Sequence, residues 1–177
     1  MDASPAGAYH PVTKAFHWGI FFVMAGQFLV GYTLGNLEDE DPGEDRLFTL
    51  HALLGMTILV LSIFRLMWRR RQTLPPWAPT LTPFERRYSH TVERLLYVLA
   101  LVIPLSGLAL AVVDERPLPV FGQWEISEVL DDSDVEDLFE GVHIATHLVF
   151  FVVFALHVGL VIKHQFVDRD RLFNRML

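Results

Sequence analysis

The sequence predicts an all-α membrane protein, a bundle of four transmembrane helices with both termini on the cytoplasmic side. Three observations carry this. Apolar residues make up 52% of the 177-residue chain. Asp, Glu, Lys and Arg are absent from four stretches, 15–37, 47–64, 95–113 and 141–162. Each is close to the roughly 20 residues that cross ~30 Å of hydrocarbon. The charges excluded from these stretches are sorted by sign among the segments that join them. One such stretch alone would suit a buried core helix. Four fill nearly half the chain and leave too little polar surface to cover them. The chain therefore reads as one membrane domain over 1–177, with spans at about 14–37, 46–68, 91–113 and 141–166.

The basic residues set the orientation. Lys14 precedes the first span. Arg65, Arg69, Arg70, Arg71, Arg86, Arg87 and Arg94 surround the link between the second and third, and Lys163, Arg169, Arg171 and Arg175 follow the fourth. Four spans put all of these on one side, which is the cytoplasmic side by the positive-inside rule. Only Arg46 and Arg116 fall on the other. The opposite segments are acidic. The first holds Glu38, Asp39, Glu40, Asp41, Glu44 and Asp45. The last holds Asp114, Glu115, Glu125, Glu128, Asp131, Asp132, Asp134, Glu136, Asp137 and Glu140.

The elements follow in order. The first span is too long for the apolar core of a signal peptide. It also runs into acids without a small-residue cleavage site, so it is expected to be retained. The second is followed by 74–83, whose four prolines cannot sit in a helix interior and predict an extended link. Pro104 in the third span predicts a kink rather than a break, since a membrane helix tolerates proline. Residues 114–140 predict an amphipathic or irregular periplasmic segment lying on the membrane surface. Gly19, Gly26, Gly31, Gly55, Gly107 and Gly159 sit in spans, where they serve close helix packing or make room for a flat cofactor. Spacing alone does not separate these uses. The absence of cysteine excludes disulfides, Cys-ligated iron–sulfur clusters, thiolate catalysis and covalent c-type haem attachment.

Eight histidines remain, and ionisable residues inside spans mark function. His17 opens the first span on the cytoplasmic side. His51 lies a turn inside the periplasmic end of the second. The fourth span carries His143 near its periplasmic start, His147 one turn later and His157 near its cytoplasmic end. His51 and His143 are thus level near the periplasm, and His17 and His157 near the cytoplasm. Fourteen residues at 100° each bring His157 within about 40° of the face of His143, about 21 Å along the helix. Two stacked b-type haems, each bridging the fourth helix to another, need this geometry. A neutral imidazole is a good axial ligand for haem iron. Two per iron leave no position for oxygen, which suits electron transfer. His147 competes with His143, because i and i+4 share a face; the depth match favours His143. A haem-free bundle that transports a metal is the other chemical reading. It would want histidines clustered at one level beside carboxylates, and the spans have none.

The remaining candidates lie at the edges. His164, with Lys14 and Trp18 near His17, could contact a quinone head group; snorkelling and interfacial anchoring are the alternative for all three. Arg65 and Arg69 are placed to pair with propionates of a cytoplasmic-side haem, and Arg46 and Arg116 with those of a periplasmic-side one. His10 and His90 read as interfacial.

The run HPVTKAFHW before the first span resembles the bacterial cytochrome b561 family. So do LHALLGMTILVLSIFRLMWR, YVLALVIPLSG and the closing ALHVGLVIKHQFVDRDRLFNRML, and the resemblance covers about residues 9–177. It implies a four-helix, di-haem inner-membrane protein with His17 and His157 ligating one haem, and His51 and His143 the other. It further implies superoxide:ubiquinone oxidoreductase activity, with superoxide giving electrons on the periplasmic side, ubiquinone as acceptor, and His164 at the quinone. The acidic periplasmic segments depart from that picture, because they repel an anionic donor at long range. They suit instead a basic periplasmic redox partner, as in a cytochrome b relay or anchor subunit of a periplasmic dehydrogenase, reductase or hydrogenase.

Overall fold

A computed structural model of the chain describes residues 7–37, 41–113, 118–120, 124–126 and 133–177. Four long helices dominate: α1 Pro11–Leu34, α2 Glu44–Arg71, α3 Pro83–Val113 and α4 Ser133–Ile162. Each is long and apolar enough to cross a membrane. Local chemistry explains where they start. His10 Nδ1 accepts the Val12 N–H at 3.1 Å, and Pro11 takes the first helical position. Helix α2 opens on Glu44 and Asp45 and closes on Arg69, Arg70 and Arg71, charges that complement the helix dipole at both ends. Helix α3 opens on a capping box. The Thr82 hydroxyl accepts the Glu85 N–H at 3.2 Å, and Glu85 Oε2 accepts the Thr82 N–H at 2.9 Å. Pro104 lies inside α3, which runs on unbroken past it.

The helices alternate in direction. Helix α1 packs on α2, α2 on α3, and α3 on α4. Helices α1 and α4 meet through aromatic rings, Phe28 against Phe151 at 4.6 Å and Phe150 at 5.2 Å, and Phe21 against Phe154 at 6.3 Å. The buried core lies mainly between α3 and α4: Val92, Leu99, Ile103, Phe150 and Val153, with Met24 and Phe28 of α1 packed onto it. Phe22, Leu29, Tyr32, Leu148 and Val152 are each more than 60% exposed. That would be an aggregation hazard in water and is the expected surface in lipid.

Two short strands, β1 Leu118–Val120 and β2 Trp124–Ile126, pair antiparallel with Leu118 opposite Ile126. Their β-branched and aromatic residues favour this state. The stretch read as amphipathic or irregular thus contains a short antiparallel strand pair, and its last residues, from Ser133 onward, belong to α4. Residues 114–117, 121–123 and 127–132 lie outside the described residues.

Beyond α4 the chain makes a π-helical turn, Lys163–Val167, and a short 3-10 helix, Leu172–Met176, joined by Arg169 and Arg171 in the left-handed region (φ 56° and 58°). This tail straps across the start of the chain. The Tyr9 N–H donates to the Arg175 carbonyl at 3.1 Å, Trp18 Nε1 to the Met176 carbonyl at 2.9 Å, and Lys14 Nζ to the Leu177 carbonyl. Arg175 also reaches the Pro76 carbonyl of the proline-rich link at 2.8 Å. The end of the bundle where α1 begins and α4 ends is basic; the end where α2 begins is acidic.

Candidate cofactor site: two facing pairs of histidines

The four helices bring four imidazoles together in two pairs. At the basic end His17 of α1 faces His157 of α4 with ring centroids 6.2 Å apart. Toward the acidic end His51 of α2 faces His143 of α4, also at 6.2 Å. Two imidazoles holding one first-row metal ion, each nitrogen about 2.0–2.1 Å from it, place their centroids on the order of 6 Å apart. Both pairs therefore have the separation of axial ligands to a single iron, and both use α4.

The protonation of the acidic-end pair follows from its partners. Ser106 Oγ spends its only hydrogen on the Ile103 carbonyl, 2.8 Å away. It lies 2.9 Å from His143 Nδ1, so it accepts from an Nδ1–H. His143 Nε2 is then left with a free lone pair, the tautomer a metal requires. Gln27 Nε2 donates to His51 Nε2 at 3.2 Å, which puts the His51 proton on Nδ1. That Nδ1 and Gln27 Oε1 are both buried without a partner. Ligation through His51 Nε2 therefore requires Gln27 to turn away, and the two orphaned atoms mark a place where a further polar group belongs.

Two glycines shape the same end. A Cβ on Gly31 would stand 2.9 Å from His51 Cε1, and one on Gly107 would stand 2.9 Å from His143 Cε1. Nothing lies within 4 Å of a Cβ at Gly19, Gly26 or Gly159. Ring space at the two histidines is thus a specific use of two glycines. His147 packs edge-on against His143, its ring 4.5 Å from His143 and 5.5 Å from Phe28.

At the basic end Arg65 Nη2 lies 3.2 Å from His17 Nδ1. Guanidinium only donates, so this contact puts the ring proton on Nε2. Ligation through Nε2 requires Arg65 to let go. Its Nε is buried without a partner, and an anionic group arriving with a cofactor would satisfy it. Arg69 is already held by Glu93 at 2.7 Å. Arg46 lines a shallow depression with Asp45, Thr49, Leu50 and Leu53, and Arg116 lies outside the described residues. Lys14 and Trp18 are tied to the terminal strap. His164 is 2% exposed, its Nδ1 2.9 Å from Asp170 and 3.1 Å from Asp168. His10 caps α1, and His90 lines a groove with Tyr9, Trp77 and Glu93. Sequence reasoning passed over Ser106 and Gln27. The signal was there, since each is a polar side chain in an apolar span.

The Asp170 carboxylate makes one contact testable by pH. Burial pushes it up, but hydrogen bonds from Thr80, His164 and the Leu172 N–H outweigh burial and hold it below its ordinary value of 3.8. A depressed carboxylate contributes stability that is full above the ordinary value and disappears as pH falls through the depressed one. Thermal unfolding followed from neutrality down past 3.8 should therefore show a flatter acid limb for Asp170→Asn than for the parent.

Comparison with known proteins supplies the family. The family model described as prokaryotic cytochrome b561 matches residues 8–177. Cytochrome b561 homolog 2 of Escherichia coli (strain K12) is 27% identical over 170 residues, covering 96% of this chain and 90% of its own. Cytochrome b561 homolog 1 of the same organism is 23% identical, covering 72% of each chain. A protein of Yersinia pestis named probable superoxide oxidase CybB is 24% identical, covering 72% of this chain and 73% of its own. A helical bundle with four spans, imidazoles facing across it and a match over nearly its whole length place the chain in the prokaryotic cytochrome b561 family, multi-pass proteins of the bacterial inner membrane that carry electrons on b-type haem.

Proposed function

We propose that this chain is a di-haem cytochrome b that carries electrons from superoxide on the periplasmic, acidic side to ubiquinone near the cytoplasmic, basic side. One observation carries the reading: two imidazole pairs, each 6.2 Å between centroids, at opposite ends of one bundle and sharing one helix. His17 and His157 hold one haem, His51 and His143 the other. Bound there, the two groups supply a pair of one-electron carriers across the membrane. Ser106 fixes the His143 tautomer, Gly31 and Gly107 leave room for the rings, and Arg65 leaves His17 to pair with a propionate. His164, Lys14 and Trp18 stand at the quinone end. The donor rests on the name of the Yersinia relative.

The acidic end favours a second reading, in which a basic periplasmic redox protein docks there and this chain acts as its membrane relay. Superoxide is an anion, and the segments there hold many acids against Arg46 and Arg116. The test is ubiquinone-analogue reduction by purified, haem-loaded protein under a superoxide flux. Reduction that superoxide dismutase abolishes supports the oxidase. Reduction that needs an added periplasmic protein, and proceeds without superoxide, supports the relay.

A further inference from the structure

The two histidine pairs are alike in their rings and unlike in their surroundings. Both are imidazole pairs 6.2 Å apart, so ligand identity cannot give them different potentials and the charge around them must. Arg65 of α2 brings a full charge to one pair. Its Nη2 lies 3.2 Å from His17 Nδ1, and its charge acts on His157 as well as on His17. The side chains that meet the other pair, Gln27, Ser106 and His147, carry no fixed charge. We propose that Arg65 sets the midpoint potential at the basic end, making the haem of His17 and His157 the stronger electron acceptor of the two and so drawing electrons inward. The assignment rests on the di-haem reading above.

Reduction adds one electron, so the reduced form is one unit more negative than the oxidised one. A nearby cation stabilises the reduced form by Coulomb attraction and raises the potential. The protein neither cancels nor fully screens this cation. No carboxylate pairs with Arg65 among the described residues. Its Nε is buried without a partner. Its guanidinium stands 5.1 Å from the centre of the Tyr97 ring, an aromatic face that attracts a cation without cancelling its charge. Tyr97 thus offers Arg65 a hold beside the pair when it lets go of His17. A propionate that Arg65 then meets belongs to the same haem, so the pairing removes negative charge from around that iron and acts in the same direction. Arg69, one turn further along α2, is the contrast, because Glu93 neutralises it at 2.7 Å.

The acidic end biases its own pair the opposite way. Arg46, the cation of that end among the described residues, is exposed and shares a depression with Asp45, so water and a carboxylate both weaken it. Glu44 and Asp45 open α2, and Asp134 and Glu136 lie in the first turn of α4. Negative charge there disfavours a further electron, although salt and water screen it more than they screen the partly buried Arg65. Both ends therefore separate the potentials in one sense, higher toward the cytoplasm.

The test is redox potentiometry of the haem-loaded protein, with haem counted on every sample. The parent is expected to show two haems and two midpoints, and His17→Ala to keep the lower one. Arg65→Gln should lower the upper midpoint and leave the other in place, shifting electron sharing between the haems on the order of tenfold, about 59 mV for a one-electron couple. Arg65→Lys keeps the charge and should hold the midpoint close to the parent's. Glu93→Gln leaves Arg65 untouched, frees the charge of Arg69 and should raise the same midpoint. A single shared midpoint in the parent, survival of the upper one in His17→Ala, no movement in Arg65→Gln, or equal falls in Arg65→Gln and Arg65→Lys overturns the proposal. Where Arg65→Gln sheds the basic-end haem, the other two variants decide: the upper midpoint surviving in His17→Ala, or no rise in Glu93→Gln, overturns it. Fewer than two haems in the parent overturns the di-haem reading itself, so the two failures are told apart by the count.

Discussion

Replacing His157 by alanine is expected to lower the haem content of the purified protein, counted by pyridine haemochrome, from the proposed two per chain to one. The His157 ring faces only one other imidazole of the two ligand pairs, His17 at 6.2 Å, and alanine offers the iron nothing in its place. His17→Ala should remove the same haem, with the double variant losing no more than either single one, and His51→Ala and His143→Ala should remove the other. Redox titration tells the two losses apart, because a different one of the two midpoint potentials disappears in each set. The opposite pattern is equally legible: if His147→Ala costs a haem and His143→Ala does not, the α4 ligand near the acidic end has been assigned one turn too early.

Gly107→Val produces nearly the same defect as losing His143 without touching a ligand. Even the first added carbon would stand 2.9 Å from His143 Cε1 and 3.4 Å from its Nδ1, closer than van der Waals contact allows. The ring cannot simply back away, because Ser106 holds Nδ1 at 2.9 Å and His147 packs edge-on against it at 4.5 Å. Overpacking of this kind costs about 1–3 kcal/mol. Here the cost falls on the ring's position more than on the bundle, so the expected result is loss of the acidic-end haem with the basic-end haem retained. Gly159→Val is the control. It lies on the same α4 as both ligands, yet nothing stands within 4 Å of its added carbon, and the haem count stays at two. Equal losses in the two variants would show that valine harms the helices generally.

Much of this was legible in the sequence because a bilayer restricts the options. A span must be apolar, helical and about 20 residues long, so charge-free stretches reveal helices and the charges between them reveal the two ends. The depths of His17, His51, His143 and His157 follow from counting residues at 1.5 Å each; the count sets His17 level with His157 and His51 level with His143, with His147 one turn away as a competitor. What could not be read depends on direction around a helix and on contacts across the bundle. Gly31 and Gly107 look like Gly19, Gly26 and Gly159 in sequence; only the fold sets the first two against imidazoles. Ser106 fixes a tautomer through a helix it does not belong to. The strand pair 118–120 and 124–126 was hidden among acids and prolines, and the capping box at Thr82 sits outside the apolar span that drew attention to α3.

The strap at the basic end also gives the bundle an order in time. Its bonds join residues that are among the most distant in the chain, Lys14 to Leu177, Trp18 to Met176 and Tyr9 to Arg175. A chain made and inserted from its N-terminus can place α1, α2 and α3 long before these partners exist. Contacts of such long sequence separation form late. The contacts at Tyr9, Lys14 and Trp18 therefore fasten the start of α1 only after the four helices are laid down.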